Sequence, residues 1–301
     1  MRFLRFVSGQ RSGIALVESD LAIDLATVAS DLPTDLEGII AGGPALGARI
    51  ASLVAGGAGT RRPISEFTPD IPISNPGKIV CLGLNYADHA KEGGYEIPSY
   101  PALFLRVRES VMSAAEPIVR PQCSVRLDYE AELMVIIGKG GKHISEASAL
   151  EHVFGYTIFN DVSVRDYQRK THQWTPGKNF DATGPIGPIV VTADELPAGA
   201  SGLSISARLN GAVMQNGNTA DMLFPVAKTI EVISEFSTLH PGDMIAMGTP
   251  PGVGHARTPP VFMKDGDIIE IEIERIGTLR SRVVDERRDA LTEGEKVAVA
   301  S

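Results

Sequence analysis

The clearest structural pattern in the sequence is Asp128-Tyr129-Glu130-Ala131-Glu132-Leu133-Met134-Val135-Ile136-Ile137. Acidic residues alternate through its first half, and an unbroken apolar run completes it. The apolar run predicts a β-strand over residues 129–137. Alternate residues of a strand share a face, and neighbours on that face lie about 6.6 Å apart. Asp128, Glu130 and Glu132 are therefore predicted to lie side by side.

The negative charges of these closely spaced carboxylates need a compensating positive charge. Carboxylates beside a buried apolar row lose hydration and repel one another unless a positive charge lies between them. A divalent cation that prefers oxygen ligands meets that need. The alternative is an edge strand whose acidic face is solvated and discourages aggregation. A third acid favours the cation, because the apolar run at residues 155–159 ends in Asn160-Asp161.

Glu130, Glu132 and Asp161 thus form a candidate metal site with three carboxylate ligands. Oxygen ligands suit Mg²⁺ or Mn²⁺, and Ca²⁺ is a further candidate. Zinc fits less well, because no Cys or His is spaced to join the three acids.

Short strand-like runs separated by Gly/Pro turns dominate the chain from residue 78 onward. These runs lie at residues 78–84, 155–159, 186–192, 203–210 and 268–274. The clearest helix is predicted over residues 224–236, and a shorter one is predicted from its cap at Ser145 to Val153. Strands outnumber helices and do not alternate regularly with them, which predicts a β-rich α+β fold.

Two domains are predicted. Residues 1–70 form a small N-terminal α+β domain, with β-like runs at residues 2–8 and 13–25 and a helix-like stretch after them. A Gly-rich stretch and then a Pro-rich segment up to residue 76 are typical of a linker that crosses a surface. Residues 71–301 form the larger domain, which carries the candidate site.

The composition limits the partners. A net charge of −9 argues against binding to nucleic acid or to an anionic membrane. No apolar run approaches the roughly 20 residues that span a bilayer, and the N-terminal residues lack an apolar signal core. A cytoplasmic protein is therefore predicted. Cys81 and Cys123 have neither a paired nor a metal-binding spacing and are predicted to be buried free thiols.

Six motifs in order resemble the fumarylacetoacetate hydrolase superfamily, in the branch of the acylpyruvate hydrolases and the 2-hydroxyhepta-2,4-diene-1,7-dioate isomerases. The motifs are Gly83-Leu84-Asn85-Tyr86-Ala87-Asp88-His89, Asp128-Tyr129-Glu130-Ala131-Glu132-Leu133, Asn160-Asp161-Val162-Ser163-Val164-Arg165-Asp166, Gly177-Lys178-Asn179-Phe180-Asp181, Gly184-Pro185-Ile186-Gly187-Pro188 and Gly248-Thr249-Pro250-Pro251-Gly252-Val253-Gly254. The resemblance covers about residues 78–285.

The resemblance implies a β-rich catalytic domain that is usually dimeric, so a homodimer is expected. It implies Mg²⁺ or Mn²⁺ on Glu130, Glu132 and Asp161, the trio reached above from the strand pattern. In related acylpyruvate hydrolases a His-Glu pair on a mobile lid activates water, and His89 and Glu92 stand in those places. Their i, i+3 spacing lets the carboxylate orient the imidazole.

Further residues match the positions where the family surrounds its substrate. Lys178 is expected to be catalytic, and Arg165 and Gln168 to bind the substrate. The glycine-rich loop that begins with Gly248 and Thr249 resembles the segment that receives the substrate carboxylate through backbone N–H groups.

Plainer interpretations exist for the same residues. His89 could be a surface histidine beside an acid, Lys178 a solvated lysine, and Arg165 half of an ion pair with Asp166. The glycine-rich loop could be a turn between strands. Arg106 departs from the family, since many members have lysine there, and an arginine does not readily lose a proton.

The resemblance implies hydrolysis of a C–C bond in a 2,4-dioxo acid such as an acylpyruvate or fumarylpyruvate, through a metal-bound enolate. A lid over residues 93–101 would select the substrate. One alternative is decarboxylation of a β-keto acid such as oxaloacetate. Others are isomerisation or hydration of a 2-hydroxydienoate in aromatic catabolism, a non-catalytic metal- or carboxylate-binding protein, and a structural protein with acidic decoration.

Overall fold

The computed structural model describes residues 1–94 and 96–287, so the last residues of the predicted larger domain, 288–301, and Tyr95 of the predicted lid lie outside the described part. The strands are β1 (Arg2–Ser8), β2 (Arg11–Glu18), β3 (Leu21–Asp24), β4 (Arg61–Pro63), β5 (Thr68–Pro69), β6 (Ile79–Gly83), β7 (Ala102–Arg106), β8 (Val111–Ser113), β9 (Ile118–Arg120), β10 (Leu127–Asp128), β11 (Ala131–Ile137), β12 (Val153–Asn160), β13 (Ser163–Val164), β14 (Gly184–Ile186), β15 (Ile189–Thr192), β16 (Ser204–Leu209), β17 (Ala212–Asn218), β18 (Met244–Ala246), β19 (Ile268–Ile273) and β20 (Gly277–Asp285). The α-helices are α1 (Leu36–Ala55), α2 (Ala87–Glu92), α3 (Arg165–Gln168), α4 (Thr175–Lys178) and α5 (Val226–Phe236). Mixed sheets with few helices confirm the β-rich α+β fold.

The acidic strand lies in the middle of the main sheet. The order along this sheet is β4-β3-β2-β1-β15-β12-β11-β18-β6-β7. Every residue of β11 is buried, and β12 and β18 flank it as antiparallel partners. The edge-strand alternative is therefore wrong. The strand also starts later than predicted, because Tyr129 and Glu130 lie between β10 and β11.

The N-terminal segment joins the same sheet. Strand β1 pairs with β15, from Arg2 opposite Val191 to Leu4 opposite Ile189. Helix α1 buries one face in the hydrophobic cluster that also contains residues of β1 and β2. The expected linker contributes β4 and β5 and buries Ile73, so part of it belongs to the core. The division into two domains at residue 70 stays a prediction.

Three local expectations need correction. Helix α1 is long and apolar enough to span a bilayer, contrary to the expectation that no apolar run is long enough. Length and composition are the only grounds for this, and core helices of soluble proteins pass the same test. Helix α1 is also kinked at Gly43. The helix expected after Ser145 is a 3₁₀ helix, Glu146–His152, with no side-chain cap. Cys81 is buried as predicted, but Cys123 is exposed.

A second sheet and a short ladder complete the surroundings of the site. The second sheet has the order β17-β16-β19-β20-β9. The ladder pairs β10 with β13, placing Leu127 opposite Val164 and Asp128 opposite Ser163. This pairing brings the acidic segment against the start of α3, where Arg165 lies. The site therefore forms where the acidic segment, the end of β12 and α3 meet.

Gly155 provides a test of the central packing. A Cβ at this position would overlap the carbonyl oxygen of Val191 on β15, so Gly155→Ala is expected to lower the free energy of unfolding by about 1–3 kcal/mol. The matched control is Gly47→Ala in α1, whose Cβ would first meet the Met1 sulfur at 3.7 Å. This change is expected to be neutral or to stabilise by about 0.5–1 kcal/mol. Denaturant unfolding of both variants measures the difference, and equal stabilities would contradict the packing argument.

Candidate active site and metal centre

Three buried carboxylates meet where β11 and β12 lie side by side. Glu130, Glu132 and Asp161 each offer an oxygen within 4.8 Å of the others. Asp161 follows β12 directly and donates its backbone N–H to the Glu130 carbonyl at 2.9 Å. The Glu130 N–H in turn donates to the Asn160 side chain at 3.0 Å. The structure thus brings together the trio that the sequence pattern and the family motif both selected.

Three cations share the charge of this cluster: Lys178, Arg165 and, from behind, Arg106. The Lys178 ammonium donates to Glu130 Oε2 and to Asp161 Oδ2, both at 2.7 Å. Arg165 Nη1 lies 2.6 Å from Glu130 Oε1. Burial acts to raise the pKa of Glu130, but the charges of Lys178 and Arg165 outweigh it and hold that pKa at about 2. Neither Lys178 nor Arg165 is a solvated surface charge, since both are buried.

Glu132 is the member of the trio with the least compensation. Its Oε2 accepts the Gly248 N–H at 3.0 Å, and it forms no ion pair within the described residues. Burial, followed by the charges of Asp161 and Glu130, raises its pKa well above the usual range. Three hard oxygen donors, of which Glu132 has no ion-pair partner among the described residues, fit Mg²⁺ or Mn²⁺. The donor set therefore suits a divalent metal.

The predicted His-Glu pair is formed on α2. His89 Nδ1 lies 2.8 Å from Glu92 Oε1, and the Glu92 carboxylate accepts the Gly252 N–H at 2.9 and 3.1 Å. With Nδ1 engaged, Nε2 is the nitrogen left for a bound molecule. His89 lines the same pocket as Glu130 and Glu132. The glycine-rich loop thus holds the Glu92 carboxylate in place, and this carboxylate in turn orients the His89 imidazole in the pocket wall.

The pocket has polar and aromatic walls. Thr249, Gln168 and Arg165, which are expected to bind the substrate, line it. The Nη2 atom of Arg165 is buried without a hydrogen-bond partner within the described residues, so it is free to donate to a ligand. Phe104 and Trp174 form an aromatic wall, with ring centroids 5.6 Å apart.

Gly248 has a different task from the one expected. Its N–H is bonded to Glu132, so it holds a carboxylate of the cluster and is not available for a substrate carboxylate. Its φ of +83° favours glycine, and a Cβ there would lie 2.8 Å from the Cβ of Asn85. The expectation for Gly248 is corrected accordingly, while Thr249 faces the pocket.

Asp128 was not selected as a site residue, although the alternation placed it beside the other acids. It is fully buried, and its Oδ1 accepts the Gly254 N–H at 2.8 Å. Its Oδ2 accepts from the His255 N–H at 2.9 Å and from Arg165 Nε at 2.8 Å. Asp128 therefore joins the glycine-rich loop to Arg165, and the ion pair of Arg165 is with this residue and Glu130, not with Asp166.

Arg106 supports the cluster from behind. Its guanidinium is buried, pairs with Asp161 Oδ1 and donates to Thr183 Oγ1 at 2.8 Å. An arginine holds a fixed charge and a planar set of donors, so at this position it fixes the orientation of the Asp161 carboxylate. Spacing alone gave no sign of this pairing, because 55 positions separate the two residues.

The fold and this cluster of carboxylates together define the class of protein. The family model for the fumarylacetoacetate hydrolase C-terminal domain matches residues 78–284, and the chain belongs to that family.

Relatives and solved structures in the family carry several enzyme names. The chain is 39% identical over 293 residues to the mitochondrial oxaloacetate tautomerase FAHD2A of Bos taurus, covering 94% of this chain and 92% of that protein. It is similar to the structure of a fumarylacetoacetate hydrolase from Exiguobacterium antarcticum, with 34% identity, a TM-score of 0.80 and coverage of 95% and 100%. It is also similar to a maleylpyruvate hydrolase from Sphingobium, with 29% identity, a TM-score of 0.79 and the same coverage.

Proposed function

We propose that the chain is a divalent-metal-dependent enzyme that moves a proton at carbon 3 of a small 2-oxo acid, and that its reaction is the keto–enol tautomerisation of oxaloacetate. The observation that carries this proposal is a single pocket lined by His89, which Glu92 holds through Nδ1, and by the carboxylates Glu130 and Glu132. The mitochondrial relative named an oxaloacetate tautomerase supports the choice of reaction.

The metal would be held by Glu130, Glu132 and Asp161, and when bound it would polarise the 2-oxo group of the substrate. His89 then takes a proton from carbon 3 through Nε2, and Glu92 stabilises the imidazolium that results. An ammonium has three N–H donors, and Lys178 spends two of them on Glu130 and Asp161. The third remains to donate a hydrogen bond to the enolate oxygen. That oxygen takes up a proton from water and His89 releases its proton to water, so the tautomerisation occurs without net change in composition.

A positive pocket wall favours a substrate with a second carboxylate. Arg169 lines the pocket, is exposed, and forms no ion pair within the described residues. His255 lies beside it; burial lowers the pKa of His255, and the charges of Arg169 and Arg165 lower it further. In a chain with a net charge of −9, an unpaired arginine here produces a local positive field that attracts an anion. Oxaloacetate carries such a second carboxylate.

Arg169→Gln is expected to raise the KM for oxaloacetate about tenfold, because one charged hydrogen bond contributes roughly 1.5–3 kcal/mol and this position is partly screened by water. The KM for a 2-oxo acid with a single carboxylate should change little. Lys170→Gln is the matched control, since Lys170 is the exposed neighbour that stacks on the Tyr167 ring. Steady-state kinetics with both substrates measure the effect, and equal loss for both would contradict a second carboxylate contact.

The proposed reaction is tested with EDTA-treated protein to which Mg²⁺ or Mn²⁺ is returned. Enol oxaloacetate is added, and the decay of its absorbance is compared with that in the same metal solution without protein. Metal-dependent acceleration without release of pyruvate supports the tautomerase. Pyruvate release from oxaloacetate would instead indicate a decarboxylase, and no acceleration would overturn the proposal.

Hydrolysis of a 2,4-dioxo acid is the second candidate. Two observations favour it: the His89–Glu92 pair is of the kind that activates water in acylpyruvate hydrolases, and the chain is similar to a maleylpyruvate hydrolase. In that reaction His89 would deprotonate a water that attacks carbon 4, and the C3–C4 bond would break with release of pyruvate. Metal-dependent pyruvate release from acylpyruvates or fumarylpyruvate, with no effect on oxaloacetate, would make this candidate the better one.

The homodimer and the cytoplasmic location also stay proposals. The named relative is mitochondrial, which gives the cytoplasmic location no support. Light scattering during gel filtration measures the first, and fractionation of the source cells measures the second.

A further inference from the structure

Gln215 is a buried side chain on β17 that the proposed chemistry does not use. Only 1% of the residue is exposed. Its Oε1 accepts the Ala131 N–H at 2.9 Å, at the start of β11. Its Nε2 donates to the Pro250 carbonyl and to Thr249 Oγ1, both at 2.7 Å. Gln215 therefore connects the strand that carries Glu132 with the glycine-rich loop.

The orientation of this amide is fixed by its backbone partners. A carbonyl oxygen such as that of Pro250 only accepts, so the atom facing it must be the NH₂ group. A backbone N–H such as that of Ala131 only donates, so the atom facing it must be the amide oxygen. A flipped amide would lose both bonds. The remaining N–H of Gln215 must then point to Thr249 Oγ1.

This arrangement decides what the Thr249 hydroxyl can do. Its oxygen already accepts from Gln215, and its hydrogen has no acceptor within the described residues. Thr249 is 2% exposed, and it lines the pocket beside Glu130 and Glu132. A buried hydroxyl hydrogen without an acceptor costs free energy, and a bound ligand that accepts from it recovers that cost.

We infer that Gln215 is a positioning residue that makes the Thr249 hydroxyl a hydrogen-bond donor to an anionic oxygen of the 2-oxo acid. The inference rests on the proposed function, because the pocket must receive the carboxylate and adjacent oxygen of such an acid. Because the Thr249 hydroxyl accepts from Gln215, its own hydrogen is left to point toward the bound acid, and Gln215 sets that direction.

Substitutions at the two positions separate this role from simple packing. Thr249→Val keeps the shape of the side chain and removes the donor, while Thr249→Ser keeps the donor. Gln215→Glu keeps an oxygen for Ala131 but places a second acceptor against Thr249, so the hydroxyl hydrogen is drawn away from the pocket. The double variant Gln215→Glu with Thr249→Val shows whether the two changes act through one hydrogen bond.

The measurement is calorimetric binding of oxalate to Mn²⁺-loaded protein, since oxalate presents adjacent carboxylate oxygens like those of a 2-oxo acid. Thr249→Val and Gln215→Glu are each expected to weaken binding roughly 10- to 100-fold, the effect of one hydrogen bond to a charged group. The double variant should be no weaker than Thr249→Val, and Thr249→Ser should keep most of the affinity. Thermal unfolding of each variant checks that it folds.

Three results would overturn the inference. Wild-type affinity in Thr249→Val would show that the hydroxyl does not donate, and this variant tests the idea even where Gln215→Glu does not fold. Effects that multiply in the double variant would show that Gln215 acts through packing. If the wild-type protein binds Mn²⁺ but not oxalate, the proposed function fails together with the inference; the first two results leave the proposed function intact.

Discussion

Replacing His89 by alanine is expected to lower kcat for oxaloacetate by about 10²- to 10⁴-fold, the usual contribution of a positioned general base. Its Nδ1 is held by Glu92, which leaves Nε2 as the proposed base. Lys178 is occupied by two carboxylates, which raise its pKa against the effect of burial and keep it cationic. The variant therefore binds substrate but transfers the proton slowly.

The affinity for Mn²⁺ is the internal control for this variant. His89 is not one of the three clustered acids, so Mn²⁺ binding measured by calorimetry should change little. His240→Ala removes an exposed histidine outside the pocket and should leave kcat unchanged. A fully active His89→Ala enzyme would remove the base assignment, whereas loss of Mn²⁺ binding would show that His89 supports the metal centre.

Glu132→Gln is expected to reduce the affinity for Mn²⁺ by at least about 100-fold and to abolish metal-dependent turnover. Changing a mere neighbour of a metal ligand already costs 10- to 100-fold in many sites, and Glu132 is a proposed ligand itself. Without metal, the variant should be as stable as the wild-type protein or more stable. Because the pKa of Glu132 is raised in the folded protein, its ionised carboxylate lowers the free energy of unfolding at any pH above the usual pKa of a glutamate. A neutral amide removes this loss of stability at neutral pH.

Thermal unfolding with and without Mn²⁺ distinguishes the two effects. A metal at 100 times its dissociation constant stabilises the wild-type protein by about 2.7 kcal/mol, and this gain should vanish in the variant. Glu151→Gln, an exposed acid outside the cluster, should retain the gain. Undiminished stabilisation of Glu132→Gln by Mn²⁺ would contradict the assignment of the metal centre.

The local part of the site could be predicted because it depends on short-range pattern. The alternation of Glu130 and Glu132 and the strand-ending position of Asp161 are visible in the sequence, and the pairing of β11 with β12 converts them into one cluster. The spacing of His89 and Glu92 on a helical turn also predicts their hydrogen bond. Their roles in catalysis stay predictions until the variants are measured.

The parts that could not be predicted depend on long-range neighbours. Whether an acidic strand lies at an edge or in the centre is decided by strands far away in sequence, such as β18. The partners of backbone N–H groups are equally invisible, which is why Gly248 was expected to hold a substrate and instead holds Glu132. Gln215 gave no signal at all, since its three partners come from two other segments.

A polypeptide that began at residue 78, where the family match starts, would lack β1. Strand β15 pairs with β12 along one side and with β1 along the other. In the shortened chain β15 would therefore be an exposed edge strand, and its buried apolar residues would lose the cover that β1 provides. Such an edge recruits strands from other molecules. The first residues of the chain thus cover a strand edge that would otherwise favour aggregation of the part of the protein that carries the clustered acids.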